Sequence, residues 1–224
     1  MIKAIVTDIE GTTSSLTFVK EVLFPYAYQH LAHFVRSHAQ DPEIQALLRA
    51  TAEQADISTD TEVVIVQLLN WIESDTKATP LKALQGLIWE AGYQQGDFTG
   101  HIYPDAVASL KAWHRQGLNL YIYSSGSIHA QQLLFGHTEY GNLNSLFAGY
   151  FDTQIGAKRE LESYQRIAQK IDLPPQDIAF LSDIKEELDA AASVGFKTFW
   201  LKRTEPFAPH AAHSQVSDFT AIVM

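Results

Sequence analysis

The sequence predicts an α/β fold: a Rossmann-like, doubly wound, mainly parallel sheet interrupted by an inserted α-helical cap domain. Three observations carry this expectation. Short β-branched runs alternate with amphipathic helical patterns, as βαβ units require. Most of the strand-like runs end in a small group of polar residues. One long stretch, residues 14–100, holds helical patterns and no convincing strand.

Taken in order, "IKAIVT" (2–7) is an apolar run without polar alternation, which suits a strand buried on both faces of a parallel sheet. From Ser14 the pattern changes. Segments 16–35, 42–55, 60–73 and 80–91 read as helices, and Pro25 is expected to break or kink the first of them. "EVVIVQLL" resembles a strand in isolation, but its apolar pattern continues through Trp71 and Ile72, which favours helix. "GYQQGDFTGHIYPD" returns the chain to the sheet. A helix follows over 105–115, with Val107, Leu110 and Trp113 on one face and Pro104 at its start. Strands are expected at 118–123, 178–181 and 197–201, with "GYFDT" as a further short candidate. Helices are expected at 128–135, 160–170 and 185–193. The sheet core therefore comprises 1–13 and 101–224, and the cap 14–100.

Composition narrows the function. The 224 residues are 46% hydrophobic and 19% charged, the balance of a folded protein with a sizeable core. Sixteen basic against 26 acidic side chains give a net charge of −10, which argues against nucleic acid or an anionic membrane as partner. A small phosphorylated molecule stays compatible if cations are concentrated locally. The chain has no cysteine, so disulfides and thiolate metal sites are excluded. "MIKAIVTDIE" is too short and too early charged for a secretory signal, and no run reaches the ~18 apolar residues of a membrane span. A cytoplasmic protein is expected.

The polar groups at strand ends carry the chemistry. Asp8 and Glu10 follow the first strand, with Gly11 allowing a sharp turn. Ser124, Ser125 and Gly126 follow the second. Asp183 follows a later strand, with Glu187 one helical turn on. Lys158 lies in the loop "QIGAKRE". In an open parallel sheet the carboxyl ends of the strands share one edge, where ligands bind. Carboxylates gathered there repel one another, a pair ~4 Å apart by on the order of 4 kcal/mol. They call for a cation, and an all-oxygen site selects a hard ion, Mg²⁺. Serine hydroxyls and backbone N–H groups near a helix start suit phosphate oxygens, and Lys158 adds a positive charge. Asp8 is then placed to attack phosphorus, and Glu10 to carry a proton.

Taken singly, these residues have blander readings. Asp8 could be a cap, Lys158 a solvated charge, and Glu187 an exposed i,i+4 partner. The pairs His30/His33 and His210/His213 read as surface or tail residues, and Trp71, Trp89 and Trp113 as packing.

The order of motifs resembles the haloacid-dehalogenase-like superfamily of phosphotransferases, whose opening motif D-x-D-G-T appears here as "DIEGTT" with Glu in the third place. With "IYSSGSIHAQQLLFGHTEYGNL", "FDTQIGAKRELESYQRIA" and "FLSDIKEELDAA", the chain is similar to the enolase-phosphatases of methionine salvage, the acireductone synthases. That resemblance implies a bifunctional enzyme. It enolises 2,3-diketo-5-methylthiopentyl 1-phosphate and then removes the phosphate, releasing the acireductone 1,2-dihydroxy-3-keto-5-methylthiopentene. It implies one Mg²⁺ per chain, held by Asp8 and Asp183 side chains and by Glu10 through its backbone carbonyl. It implies substrate phosphate on Ser124, Ser125 and Lys158, a monomer, and a cap that closes over the site. Another Mg²⁺-dependent capped phosphatase of the superfamily is the alternative. A phosphorylatable receiver domain shares the residue types but places its acid pair and phosphorylated Asp in a different order.

Overall fold

The computed structural model describes residues 1–223. The chain divides into two compact units, Met1–Leu16 with Thr99–Met224, and Thr17–Phe98.

The first unit is built on six strands: β1 (Ala4–Thr7), β2 (Asn119–Tyr123), β3 (Phe147–Phe151), β4 (Ile178–Ser182), β5 (Lys197–Leu201) and β6 (Ser214–Val216). Their order is β3-β2-β1-β4-β5-β6, and every pairing is parallel. The chain starts in the middle of the sheet, builds outward through β2 and β3, then crosses back to the far side of β1. The direction of winding reverses at the β1/β4 boundary, and such a reversal opens a crevice at the carboxyl ends of the strands. β1 and β4 are buried at every position, as their unbroken apolar sequences require. Val6 and Phe180 share a core with Tyr164 and Ile167 of the helix Leu161–Ile171, Leu188 and Ala191 of Lys185–Val194, and Trp200 of β5. β3 begins two residues before the expected "GYFDT". β6 was not expected, because "SQV" is too short to show a period.

The second unit is helical. A helical stretch begins with Leu16–Phe18, widens into a π-helical segment Val19–Leu23 and continues as Phe24–Ser37. Pro25 was expected to break or kink this helix. It sits in the first turn of Phe24–Ser37, directly after the π-helical interruption of the α-helix. Proline has no N–H to donate and needs room beside the carbonyl four residues back, and the wider π turn precedes it. Pro42–Ala55, Thr61–Glu73 and Thr79–Gln95 complete the unit. Asp60 starts the third of these four longer helices, its Oδ1 accepting from the N–H groups of Glu62 and Val63 at 3.0 and 3.2 Å. Leu31, Val35, Leu48, Ile65, Leu68, Leu81 and Leu84 form the core, with Trp71 and Trp89 packed against it. Among the described residues no helix is long and apolar enough to cross a membrane.

One histidine departs from expectation. His213 is buried, bridging Thr198 Oγ1 (2.8 Å from Nδ1) and Asp189 Oδ1 (2.9 Å from Nε2), and so ties the approach to β6 onto β5.

Candidate active site

The site is assembled by the sheet register. Thr7 of β1 lies opposite Ile122 of β2 and Leu181 of β4. Asp8 and Asp183 therefore leave adjacent strands at the same edge as Ser124. The backbone N–H of Asp8 donates to the Leu181 carbonyl at 2.9 Å, which extends the β1/β4 ladder one residue into the site.

Beyond Asp8 the chain folds into a tight turn. The Ile9 carbonyl accepts from the N–H groups of Thr12, Thr13 and Ser14, and the Thr13 hydroxyl donates back to the Asp8 carbonyl at 3.1 Å. Gly11 has φ +73°, and a Cβ there would stand 2.3 Å from Asp183 Oδ2. Only glycine allows this backbone path and this approach to Asp183 together. Arg203 secures the same turn from outside. Its Nε donates to the Thr12 carbonyl at 2.8 Å while its Nη groups hold Asp105 at 3.1 and 3.0 Å.

Lys158 is the centre of charge. Its Nζ lies 2.5 Å from Asp8 Oδ1 and 2.8 Å from Glu187 Oε2, and the three side chains are about nine-tenths buried. Glu187 Oε2 also accepts from the Ser182 hydroxyl at 2.8 Å. The bland readings of Lys158 as a solvated charge and of Glu187 as an exposed partner are thus corrected: both sit inside. Burial alone would depress the Lys158 ammonium, but the Asp8 and Glu187 carboxylates override it and hold its pKa above the ordinary value. Burial, and then the Asp8 charge, push Glu187 up. The same two causes push Asp183 up to about 7.

Asp183 is the incomplete member. Its carbonyl accepts from Trp200 Nε1 at 2.8 Å, but its Oδ1 is buried without a hydrogen-bond partner. Three carboxylates here face one ammonium, an excess of two negative charges when all are ionised. A buried orphan oxygen and a twofold negative excess suit a divalent cation with oxygen ligands. Among the described residues no three His, Asp or Glu side chains are grouped to hold a metal. The Glu10 side chain is exposed, and Lys158 lies between Asp8 and Glu187. A cation here would draw on two carboxylates, a number that suits Mg²⁺, which keeps waters and takes substrate phosphate as a ligand.

Ser124 is buried directly after β2. Its Oγ accepts from the Gly126 N–H at 3.2 Å, and its own N–H donates to the Phe151 carbonyl. Ser125 is exposed. Ser127 caps the helix Ile128–Gly136 by accepting from the Ala130 N–H. Gln131, a residue the sequence did not single out, donates from Nε2 to the Gly126 and Phe151 carbonyls at 2.8 and 2.9 Å and fixes this loop. Arg203 was missed as well, since nothing in its local sequence points to the turn at Thr12.

The profile of the haloacid dehalogenase-like hydrolases matches residues 2–195. The chain is 61% identical to an enolase-phosphatase E1 of Methylococcus capsulatus over 99% of its own length and 98% of that protein's. It is 57% identical to another from Thioalkalivibrio sulfidiphilus, over 94% and 95%. Among solved structures, the UTR4 protein of Saccharomyces cerevisiae superposes with a TM-score of 0.84 at 33% identity, covering 99% of this chain and all of that one.

Proposed function

The chain belongs to the haloacid dehalogenase-like hydrolases, and within them to the enolase-phosphatases, and from that premise we propose how its own residues divide the work. The protein is a phosphatase with enolase activity, acting in methionine salvage. Its substrate is 2,3-diketo-5-methylthiopentyl 1-phosphate, and its products are phosphate and the acireductone 1,2-dihydroxy-3-keto-5-methylthiopentene. It works as a cytoplasmic monomer.

Asp8 is the nucleophile. Lys158 holds its Oδ1 at 2.5 Å, leaving Oδ2 to attack phosphorus. The new Asp8–phosphorus bond forms as the bond from phosphorus to the enol oxygen breaks, and water later hydrolyses the aspartyl-phosphate. Ser124, Ser125 and Lys158 bind the phosphoryl oxygens, with Gly126 shaping the serine loop. Glu10 stands exposed two residues beyond Asp8 and carries the proton of enolisation or of the leaving oxygen. Glu187, 2.8 Å from the same Nζ, helps keep Lys158 in place.

The enzymes of this family use Mg²⁺, and we place one ion per chain on Asp8, Asp183 and the Glu10 carbonyl. When bound it offsets phosphoryl and enolate charge.

The observation that carries this reading is the buried Asp8–Lys158–Glu187 chain beside Asp183 and its orphan oxygen. The test follows enol absorbance and inorganic phosphate together. Asp8→Asn should lose phosphate release by on the order of 10³-fold or more, since it removes the nucleophile. Phosphate release at the wild-type rate in Asp8→Asn would overturn the assignment.

A further inference from the structure

The loop that delivers Lys158 is held by an unusual set of donors. Four consecutive carbonyls each accept from a different side chain. Arg166 Nη1 donates to Ile155 at 3.0 Å, the Tyr123 hydroxyl to Gly156 at 2.9 Å, the Ser163 hydroxyl to Ala157 at 2.7 Å, and the Tyr164 hydroxyl to Lys158 itself at 2.7 Å. Loops ordinarily leave such carbonyls to water. Here Tyr123, Ser163 and Tyr164 are fully buried or nearly so.

Packing does not explain these hydroxyls. The Tyr164 ring sits edge-on to Tyr123, Phe180 and Phe196, with centroids 5.8, 5.1 and 5.8 Å away. A phenylalanine would fill that space as well, and its absence of a polar atom would suit the apolar surroundings better. The hydroxyl is accounted for by the carbonyl it reaches. Burial holds its pKa far above the ordinary phenol value, so it remains a donor throughout the working range. Gly156 fits the same design. Its φ is +139°, and a Cβ there would lie 2.2 Å from Ser163 Oγ, so the glycine and the serine specify each other.

We propose that Tyr164 is a positioning residue for Lys158, anchoring by its hydroxyl the backbone from which the ammonium reaches between Asp8 and Glu187, with Tyr123, Ser163 and Arg166 fixing the three preceding carbonyls. This rests on the phosphate-holding role given to Lys158 above. A lysine has four flexible side-chain bonds, so the accuracy of its ammonium depends on the fixity of its root. Geometric errors of about 1 Å at a reacting centre are worth up to ~10²-fold in rate.

The experiment is a double-mutant cycle in the Mg²⁺-supplemented enzyme, read by kcat and by the affinity for inorganic phosphate. Tyr164→Phe keeps the ring and deletes the donor. It should lower kcat and weaken phosphate by about tenfold, and should weaken phosphate no further in a Lys158→Met background. A Tyr164→Phe enzyme that melts earlier yet keeps kcat and phosphate affinity within about twofold of the parent would overturn the proposal, because that outcome is packing alone. An equal loss of phosphate affinity in both backgrounds would do the same. If Tyr164→Phe does not fold, Ser163→Ala takes its place in the cycle, with a smaller loss expected in the same pattern and the same outcomes decisive. Lys158→Met tells the two readings apart. If it leaves turnover and phosphate affinity intact, the role of Lys158 falls and this inference with it. If it is impaired while Tyr164→Phe and Ser163→Ala are not, this inference falls alone.

Discussion

The helical unit buries aliphatic side chains from its helices and keeps its charges outside, whereas the sheet unit takes an aspartate, a lysine and a glutamate inside. Arg36 and Glu62, in the helical unit, meet at 2.7 Å with both side chains more than half exposed. Lys158 meets Asp8 and Glu187 at similar distances with all three about nine-tenths buried. The distances are alike and the physics is not. Water screens the first pair, which is dispensable. Removing one member of the second leaves an uncompensated charge in a poorly solvated place. The difference marks the candidate site. A protein retains buried charge at a cost, and this chain does so at the edge where its strands end.

The widest separation between the two regions should come from parallel charge deletions. Lys158→Met leaves Asp8 and Glu187 facing each other without their ammonium. It should cut phosphate release by on the order of 10³-fold and destabilise by about 3–5 kcal/mol in urea unfolding. Arg36→Met should leave both measurements at the parent values. Equal effects from the two substitutions would erase the contrast.

A second substitution sharpens it from the other side. Leu68 is fully buried in the helical core, and Leu68→Ala should cost about 2–5 kcal/mol, as cavity-forming substitutions do. The loss should show in calorimetry, with phosphate affinity unchanged below the transition, because Leu68 packs inside the helical core. A loss of phosphate affinity at a temperature where Leu68→Ala is fully folded would show that the helical core does more than support itself.

The same contrast governs what the sequence disclosed. The helices of the second unit were legible because a 3.6-residue period is a local signal, and "EVVIVQLL" resolved to helix once Trp71 and Ile72 were included. Their function was not legible, since an apolar period reports burial and nothing else. In the sheet unit, Asp8, Ser124 and Asp183 were legible because each stands directly after a strand. Lys158 was legible as a residue type in a loop, but its depth was not, because burial depends on partners far away in sequence. Nothing in the sequence singles out the hydroxyls of Tyr123 and Tyr164. Their hydroxyls acquire meaning through carbonyls 33 and six residues away, and only the folded loop supplies those. β6 and the π-helical turn escaped for different reasons, one too short to show a period and the other a response to proline with more than one solution.

Asp183 gives the smallest effect, and one confined to the sheet unit. Its folded pKa, about 7, stands above the 3.8 of an ordinary aspartate. The metal-free folded protein therefore binds this proton more tightly than the unfolded chain does. Between about pH 4 and 7 the unfolded state holds fewer protons at this site, so stability falls as pH rises. The contribution is fully present below the unfolded pKa and is lost by the time pH has passed the folded one. It amounts to a few kcal/mol at most for a partly solvated carboxyl. The Mg²⁺ proposed above would take the ionised carboxylate, so the stabilisation it brings should grow over the same window. Asp183→Asn should flatten both trends: the chelator-treated variant should match or exceed the parent's melting temperature at pH 8, and Mg²⁺ should shift it little. A parent protein whose metal-free stability rises from pH 5 to 8, with Asp183→Asn following the same curve, would remove Asp183 from the set of groups that the fold holds against their own charge.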